Sequence, residues 1–173
     1  EITKEELENS IKDNSFLNHV NKVKVKKGDI FSIEAGTLHA IGGGILLAEV
    51  QQNCNTTYRV YDYGRLVDGK PRELHIEKAL DVTNTLPPVR SAKAEGEEVV
   101  IGDGKLQKLC SCEFFTMTSL KLNGKYEYNC DENSFLSVLI LEGNGSITVD
   151  NTAVSVKKGD SIFIPADSGN VLL

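Results

Sequence analysis

One fourteen-residue stretch occurs twice in this chain. Val23-Lys-Val-Lys-Lys-Gly-Asp-Ile-Phe-Ser-Ile-Glu-Ala-Gly36 lines up with Val154-Ser-Val-Lys-Lys-Gly-Asp-Ser-Ile-Phe-Ile-Pro-Ala-Asp167, and eight of the fourteen paired positions are identical, both Lys-Lys-Gly-Asp runs included. Such self-similarity means that one supersecondary unit is built twice. In each copy the valines alternate with polar residues, the pattern of a strand with one buried face. Lys-Lys-Gly-Asp then supplies a turn, and apolar residues resume after it. The chain therefore holds two related β-modules, the first entered late and the second running to the end.

The remaining pattern fits this frame. Before the first copy, residues 3–20 read as helical: Thr3 and Glu6 form a capping box, Leu7 and Ile11 share a face, and Asn14-Ser15 breaks the run. Strands are expected at Val23–Val25, Ile30–Ile33, Ile45–Gln51 and Thr57–Tyr61. A short helix is expected over Leu74–Val82, ended by Thr85-Leu86-Pro87-Pro88. Residues 89–105 read as a connector. A second set of short strands follows at Phe114–Leu122, Leu136–Leu141, Ser146–Val149, Ala153–Val156 and Ser161–Ile164, with a hairpin signal at Glu142-Gly143-Asn144-Gly145. The expectation is an all-β fold of jelly-roll or barrel type, with two related modules and a few short helices. The modules are residues 1–88 and 106–173.

Composition narrows the partners. A net charge of −6 among 173 residues argues against nucleic acid or an anionic membrane as the main partner. No run of about 18 apolar residues suggests a membrane span, and the acidic start Glu1–Glu8 does not read as a signal peptide. Cys54, Cys110, Cys112 and Cys130 have no zinc-knuckle spacing and read as free thiols of a reducing cytoplasm. The sole methionine is Met117, so the chain is expected to be a piece of a longer protein.

The first repeat leads into a chemically specific run. Gly28-Asp29, Gly36 and His39 follow a Gly-Asp-x6-Gly-x2-His spacing that resembles the second conserved motif of the cupins, whose histidine binds a metal. In the second copy Asn170 stands where His39 stands, and no His-x-His occurs in residues 106–150, so the C-terminal module is expected to be metal-free. Ala35-Gly-Thr-Leu-His-Ala-Ile-Gly-Gly-Gly44 continues into Ala48-Glu-Val-Gln-Gln-Asn-Cys-Asn-Thr-Thr-Tyr-Arg-Val-Tyr-Asp-Tyr-Gly-Arg65. This run resembles the signature of bacterial type I mannose-6-phosphate isomerases. The resemblance extends over most of the chain, through Leu74-His75-Ile76-Glu77-Lys78-Ala79-Leu80. It implies a cytoplasmic enzyme that interconverts mannose 6-phosphate and fructose 6-phosphate with one divalent metal, usually zinc. It also implies that His39 is a metal ligand and Arg59 the catalytic arginine. The family's other ligands, a Gln-x-His and a glutamate, would lie upstream of Glu1, in an N-terminal half missing from this chain.

Elementary chemistry is compatible with these roles. Aldose–ketose isomerisation moves a proton between neighbouring carbons through an enediol. It needs an acid/base group and something that stabilises an oxyanion. A guanidinium stays protonated, so Arg59 can steady the enediolate but cannot be the base. Side chains alternate along a strand, so Glu49 and Gln51 would share one face and Thr57 and Arg59 another. A carboxylate facing a largely apolar barrel would have a raised pKa, which suits Glu49 for acid/base work beside Gln51 as a substrate contact. Arg65 is a candidate for the substrate phosphate, which arginine binds bidentately. His75 reads as exposed or structural, Tyr61 and Tyr63 as packing residues, and Cys54 as a small loop filler. Two alternatives remain open: a non-catalytic cupin module that binds sugar phosphate, and a cupin isomerase or epimerase acting on another sugar phosphate.

Overall fold

The computed structural model describes residues 2–87 and 92–173. Two compact units are separated by chain contacts, Glu1–Glu95 with Leu109–Met117 and Gly96–Lys108 with Thr118–Leu173. The break expected at Pro88 and the first connector residues, 89–91, lie outside the described residues.

The first unit opens with helix α1, Lys4–Lys12. Its capping box forms as expected: the Glu6 backbone N–H donates to Thr3 Oγ1 at 3.1 Å and the Thr3 N–H donates to Glu6 Oε2 at 2.8 Å. A cap of this kind is worth roughly 1 kcal/mol because it satisfies donors left over at the helix start. A 3-10 turn, Phe16–Asn18, follows. The two-residue strands β1 (Leu66–Val67) and β2 (Lys70–Pro71) form a hairpin, and helix α2 spans Ile76–Val82. Leu7, Phe16, Val60 and Ala79 make the buried core of this unit, with Ile2, Ile11, Val20, Leu38, Tyr61 and Leu80 packed against them.

Here the structure departs from the sequence pattern. None of the strands expected at Val23–Val25, Ile30–Ile33, Ile45–Gln51 and Thr57–Tyr61 forms. Alternation sets which face a strand buries, but a strand exists only where a second backbone takes up its N–H and C=O groups. Among the described residues no ladder forms along these segments; a single backbone bond, from the His75 N–H to the Arg59 carbonyl, is too little to make a strand. Apolar side chains of the first three segments remain in solvent, including Val23, Ile33, Leu46 and Val50, whereas Val60 of the fourth is buried in the first unit's core.

The remaining strands lie mostly in the second unit, with residues 109–117 counted in the first. β3 is Val99–Ile101, β4 Gly104–Ser111, β5 Thr116–Leu122, β6 Glu127–Cys130, β7 Leu136–Leu139, β8 Asn144–Val149, β9 Thr152–Lys157, β10 Ser161–Ile164 and β11 Gly169–Leu172. β3 pairs antiparallel with β4 and lies inside the stretch read as a connector. One sheet runs β6-β11-β8-β9, and β7 pairs with β10 in another. Inward side chains of both sheets share a core of Cys130, Ile147, Val156, Ile164 and Val171. Alternation is plain in β10, where Ile164 is buried and Phe163 exposed. The hairpin expected at Glu142–Gly145 is instead a passage between sheets, because β7 and β8 do not pair. The tight turn falls at Asp150-Asn151, between β8 and β9, with φ values of 46° and 65°. Two left-handed residues in a row match the strand twist of a two-residue hairpin, and Asp and Asn tolerate that region better than most.

Candidate functional site

His39 hangs from a loop anchored to the end of α2. The Asn84 N–H donates to the Gly36 carbonyl at 2.9 Å. Gly36 has φ +82°, and a Cβ there would meet the Val82 carbonyl oxygen at 2.5 Å, so only glycine fits. Beyond it, His39 is exposed, with Nδ1 at 2.9 Å from the Thr37 carbonyl oxygen. A proton on Nδ1 donated to that carbonyl leaves the Nε2 lone pair free, the arrangement typical of a metal-ligating histidine. Glu49 and Gln51 are both exposed and lie outside any strand.

Arg59 is held more firmly. Its backbone N–H donates to His75 Nδ1 at 3.2 Å, and the His75 N–H donates back to the Arg59 carbonyl at 2.7 Å. His75 is therefore structural, tying Arg59 to the start of α2. The Arg59 guanidinium donates from Nη1 to the Glu73 carbonyl at 3.1 Å, and its Nε lies 3.9 Å from Asp62 Oδ1. Neighbouring aromatic residues pack as expected, with Tyr61 against Phe16 and Tyr63 at centroid distances of 5.8 and 4.9 Å.

Asp62 is the centre of this region and did not stand out in the sequence. It is buried, and it accepts from Arg65 Nη2 at 2.7 Å and from Arg72 Nε at 2.8 Å, while Arg72 Nη2 closes the second arm of a bidentate fork. The Arg72 guanidinium, with Arg65 beside it, holds the Asp62 carboxyl far below the usual carboxylate range against the opposing effect of burial. The same pairing raises the pKa of Arg72. The signal that could have found the cluster is the spacing of Arg59, Asp62 and Arg65 at three-residue intervals, followed by Arg72 across a short Asp-Gly turn. The structure thus brings Arg59 and Arg65 together around Asp62, while among the described residues His39, Glu49 and Gln51 form no hydrogen bond or ion pair with them.

Among the described residues no three His, Cys, Asp or Glu side chains group to hold a metal. A zinc site takes three or four protein donors. His39 offers one, so this chain's described residues do not by themselves fit the metal that the motif implies. Among the same residues no helix is long and apolar enough to cross a membrane.

Comparison with known proteins supplies a frame for this geometry. Residues 95–173 match the family model described as the cupin domain of mannose-6-phosphate isomerase. The chain is 37% identical over 172 residues to mannose-6-phosphate isomerase ManA of Bacillus subtilis (strain 168), covering 99% of this chain and 54% of the relative. It is 36% identical over 168 residues to a mannose-6-phosphate isomerase of Streptococcus mutans, covering 94% of this chain and 51% of the relative. The chain thus spans about half the length of the curated relatives it matches. A solved structure of the Bacillus subtilis mannose 6-phosphate isomerase superposes with a TM-score of 0.59 at 30% identity, over 69% of this chain and 38% of that one. The fold is a mostly-β cupin with a few short helices.

Proposed function

We propose, for a chain that belongs to the mannose-6-phosphate isomerase family of cupins, that it serves as part of a longer metal-dependent enzyme interconverting mannose 6-phosphate and fructose 6-phosphate. The observation that carries this reading is the identity of 37% over 99% of the chain, which takes in the run from His39 to Arg65. The relatives are about twice as long, and a half of the protein outside this chain would supply the remaining metal donors and the strands that pair with residues 23–61. His39 would contribute one ligand to a zinc held mainly by that other half. The first module would then be the catalytic one and the module from residue 106 a ligand-free support, its Asn170 replacing the histidine.

The chemistry assigned to this chain's own residues follows from their types. Arg59 keeps its charge at every accessible pH and presents a rigid fork, so it stabilises the enediolate oxygen. The mooring of its backbone to His75 limits the freedom that would otherwise be lost on binding. Glu49 shuttles the proton between the two carbons, Gln51 holds a sugar hydroxyl, and Arg65 meets the phosphate. Exposed Glu49 and Gln51 would reach the substrate once the segment around them pairs as a strand. Cys54, Cys112 and Cys130 are free thiols, which is in keeping with a reducing, cytoplasmic setting.

Arg59→Ala in the full-length protein tests the reading. Turnover of mannose 6-phosphate is expected to fall by about 1000-fold or more with the thermal unfolding midpoint unchanged, the scale of losing one preorganised oxyanion donor. Near-normal turnover would remove Arg59 from the mechanism. A full-length protein that binds sugar phosphate but turns over none would instead favour the non-catalytic module.

A further inference from the structure

The β1–β2 hairpin sets two arginines side by side. Leu66 pairs with Pro71 across the ladder, so Arg65, just before β1, and Arg72, just after β2, face one another at the hairpin's base. Like charges placed opposite each other across a ladder repel. Asp62 answers that repulsion, accepting from both guanidiniums, with the Arg59 guanidinium close by at 3.9 Å. A purely structural ion pair would need one arginine. Here three guanidiniums converge on one carboxylate and leave two positive charges uncompensated within the cluster. The nearest carboxylate in sequence, Glu73, is 84% exposed and leans towards His75, at 3.8 Å from its Nε2.

We infer that Asp62 gathers Arg65 and Arg72, with Arg59 at the edge, into a cationic cradle that takes a phosphate monoester dianion. Two uncompensated charges match the dianion's charge near neutral pH. Each guanidinium has five N–H donors in a fixed plane, and those not engaged by Asp62 remain to meet phosphate oxygens in pairs. The Arg65 and Arg72 side chains are 61% and 35% exposed, so both can be reached from solvent, while the buried carboxylate behind them fixes their spacing. The Tyr63 ring, 5.7 Å from the Arg65 guanidinium, steadies its outer side. Asp62 is thus a positioning residue, and Arg72 a phosphate contact beside Arg65. This inference rests on the sugar-phosphate reading above for its physiological ligand, but the cradle itself can be tested without turnover.

Inorganic phosphate titrated into this chain, followed through the arginine Nε–Hε NMR signals, is the direct probe. The Arg65 and Arg72 signals are expected to move together along one saturating curve, and Arg72→Gln to weaken that binding by about tenfold or more. Signals of Arg65 and Arg72 that do not respond to phosphate would overturn the cradle whatever the enzyme does. Asp62→Asn in the full-length protein separates positioning from charge. It adds net positive charge, so electrostatics alone would lower KM for mannose 6-phosphate, whereas loss of positioning raises KM more than it changes kcat. A fall in KM would refute the positioning role. Phosphate binding that depends on Arg72 in a protein without isomerase activity would keep the cradle and remove the proposed reaction.

Discussion

The two copies of the repeat share their turn and differ in the secondary structure and burial around it. In the first, the Lys26 N–H donates to Asp29 Oδ2 at 2.9 Å and Gly28 has φ +93°; in the second, the Lys157 N–H donates to Asp160 Oδ2 at 2.8 Å and Gly159 has φ +93°. Even the left-handed residue that ends each copy is matched, Gly36 at +82° and Asp167 at +63°. Yet the flanks of the second turn are β9 and β10, and the flanks of the first are irregular. The identical isoleucines sum up the contrast: Ile164 is 3% exposed and Ile33 is 47% exposed. A turn closed by its own Asp side chain is written into four residues. A strand is written jointly with its neighbours, and β9 and β10 have theirs in β8 and β7.

The largest effect should come from exchanging the residues by which the copies differ in chemistry. His39→Asn gives the first copy the residue found in the second. In the full-length protein it is expected to lower bound zinc and to cut turnover by about 100-fold or more, since even outer-shell changes cost 10–100-fold. Asn170→His should add neither zinc nor activity, because among the described residues no group of three His, Cys, Asp or Glu side chains stands ready for an imidazole on β11 to complete. Zinc retained in the His39 variant would break the functional half of the comparison.

A smaller effect tests the packing half. Ile164→Ala should cost about 2–5 kcal/mol in urea unfolding of this chain, the range for a truncated core isoleucine. Ile33→Ala in the same chain should stay within about 0.5 kcal/mol, as for a surface change. Equal costs would mean that the first copy is packed after all.

The smallest effect concerns pH. Lys105 and Lys121 both bond Glu98, at 2.6 Å each, and hold its pKa down at about 2 against an ordinary 4.5. A carboxylate depressed on folding contributes stability that is fully present above its unfolded value and is lost as pH falls through its folded value. Stability measured from pH 5 downward should therefore decline towards about pH 2 in part through Glu98, and Glu98→Gln should flatten that portion of the curve. The groups are partly solvated, so the difference is expected to be modest. Asp62, in the first unit, is also held well below its ordinary value by Arg72 and Arg65, so it adds to the acid-side decline in the same direction.

Local chemistry was legible in the sequence. The Thr3–Glu6 cap, the short helix before Thr83, the Lys-Lys-Gly-Asp turns and most strands after residue 114 follow from capping, alternation and turn residues acting over a few positions. What could not be read locally were choices between partners. Asn144-Gly145 carries a hairpin signal, but the chain spends it on entering a new sheet, and Asp150-Asn151 makes the tight turn instead. Val99–Ile101 looked like part of a connector because its pairing with β4 lies across a Gly-Asp turn. Asp62 carries no local signal for the same reason, since its role depends on Arg72 arriving through a hairpin only two residues long on each side. His39 and Arg59 were found through a motif. Their companions Glu49 and Gln51 sit in a segment whose strand pairing the described residues do not provide.

That missing pairing is the most exposed point, and amide hydrogen exchange reaches it directly. Exchange should be compared, residue by residue, between this chain alone and the protein at its relatives' full length. In the chain alone, amides of residues 23–33 and 45–61 should exchange fast while those of β9 and β10 are slow. In the full-length protein the first set should slow by about 100-fold or more as strands form, with the second set unchanged. Residues 23–33 that exchange equally fast in both would contradict the view that this half of the repeat is a pair of strands awaiting backbone partners.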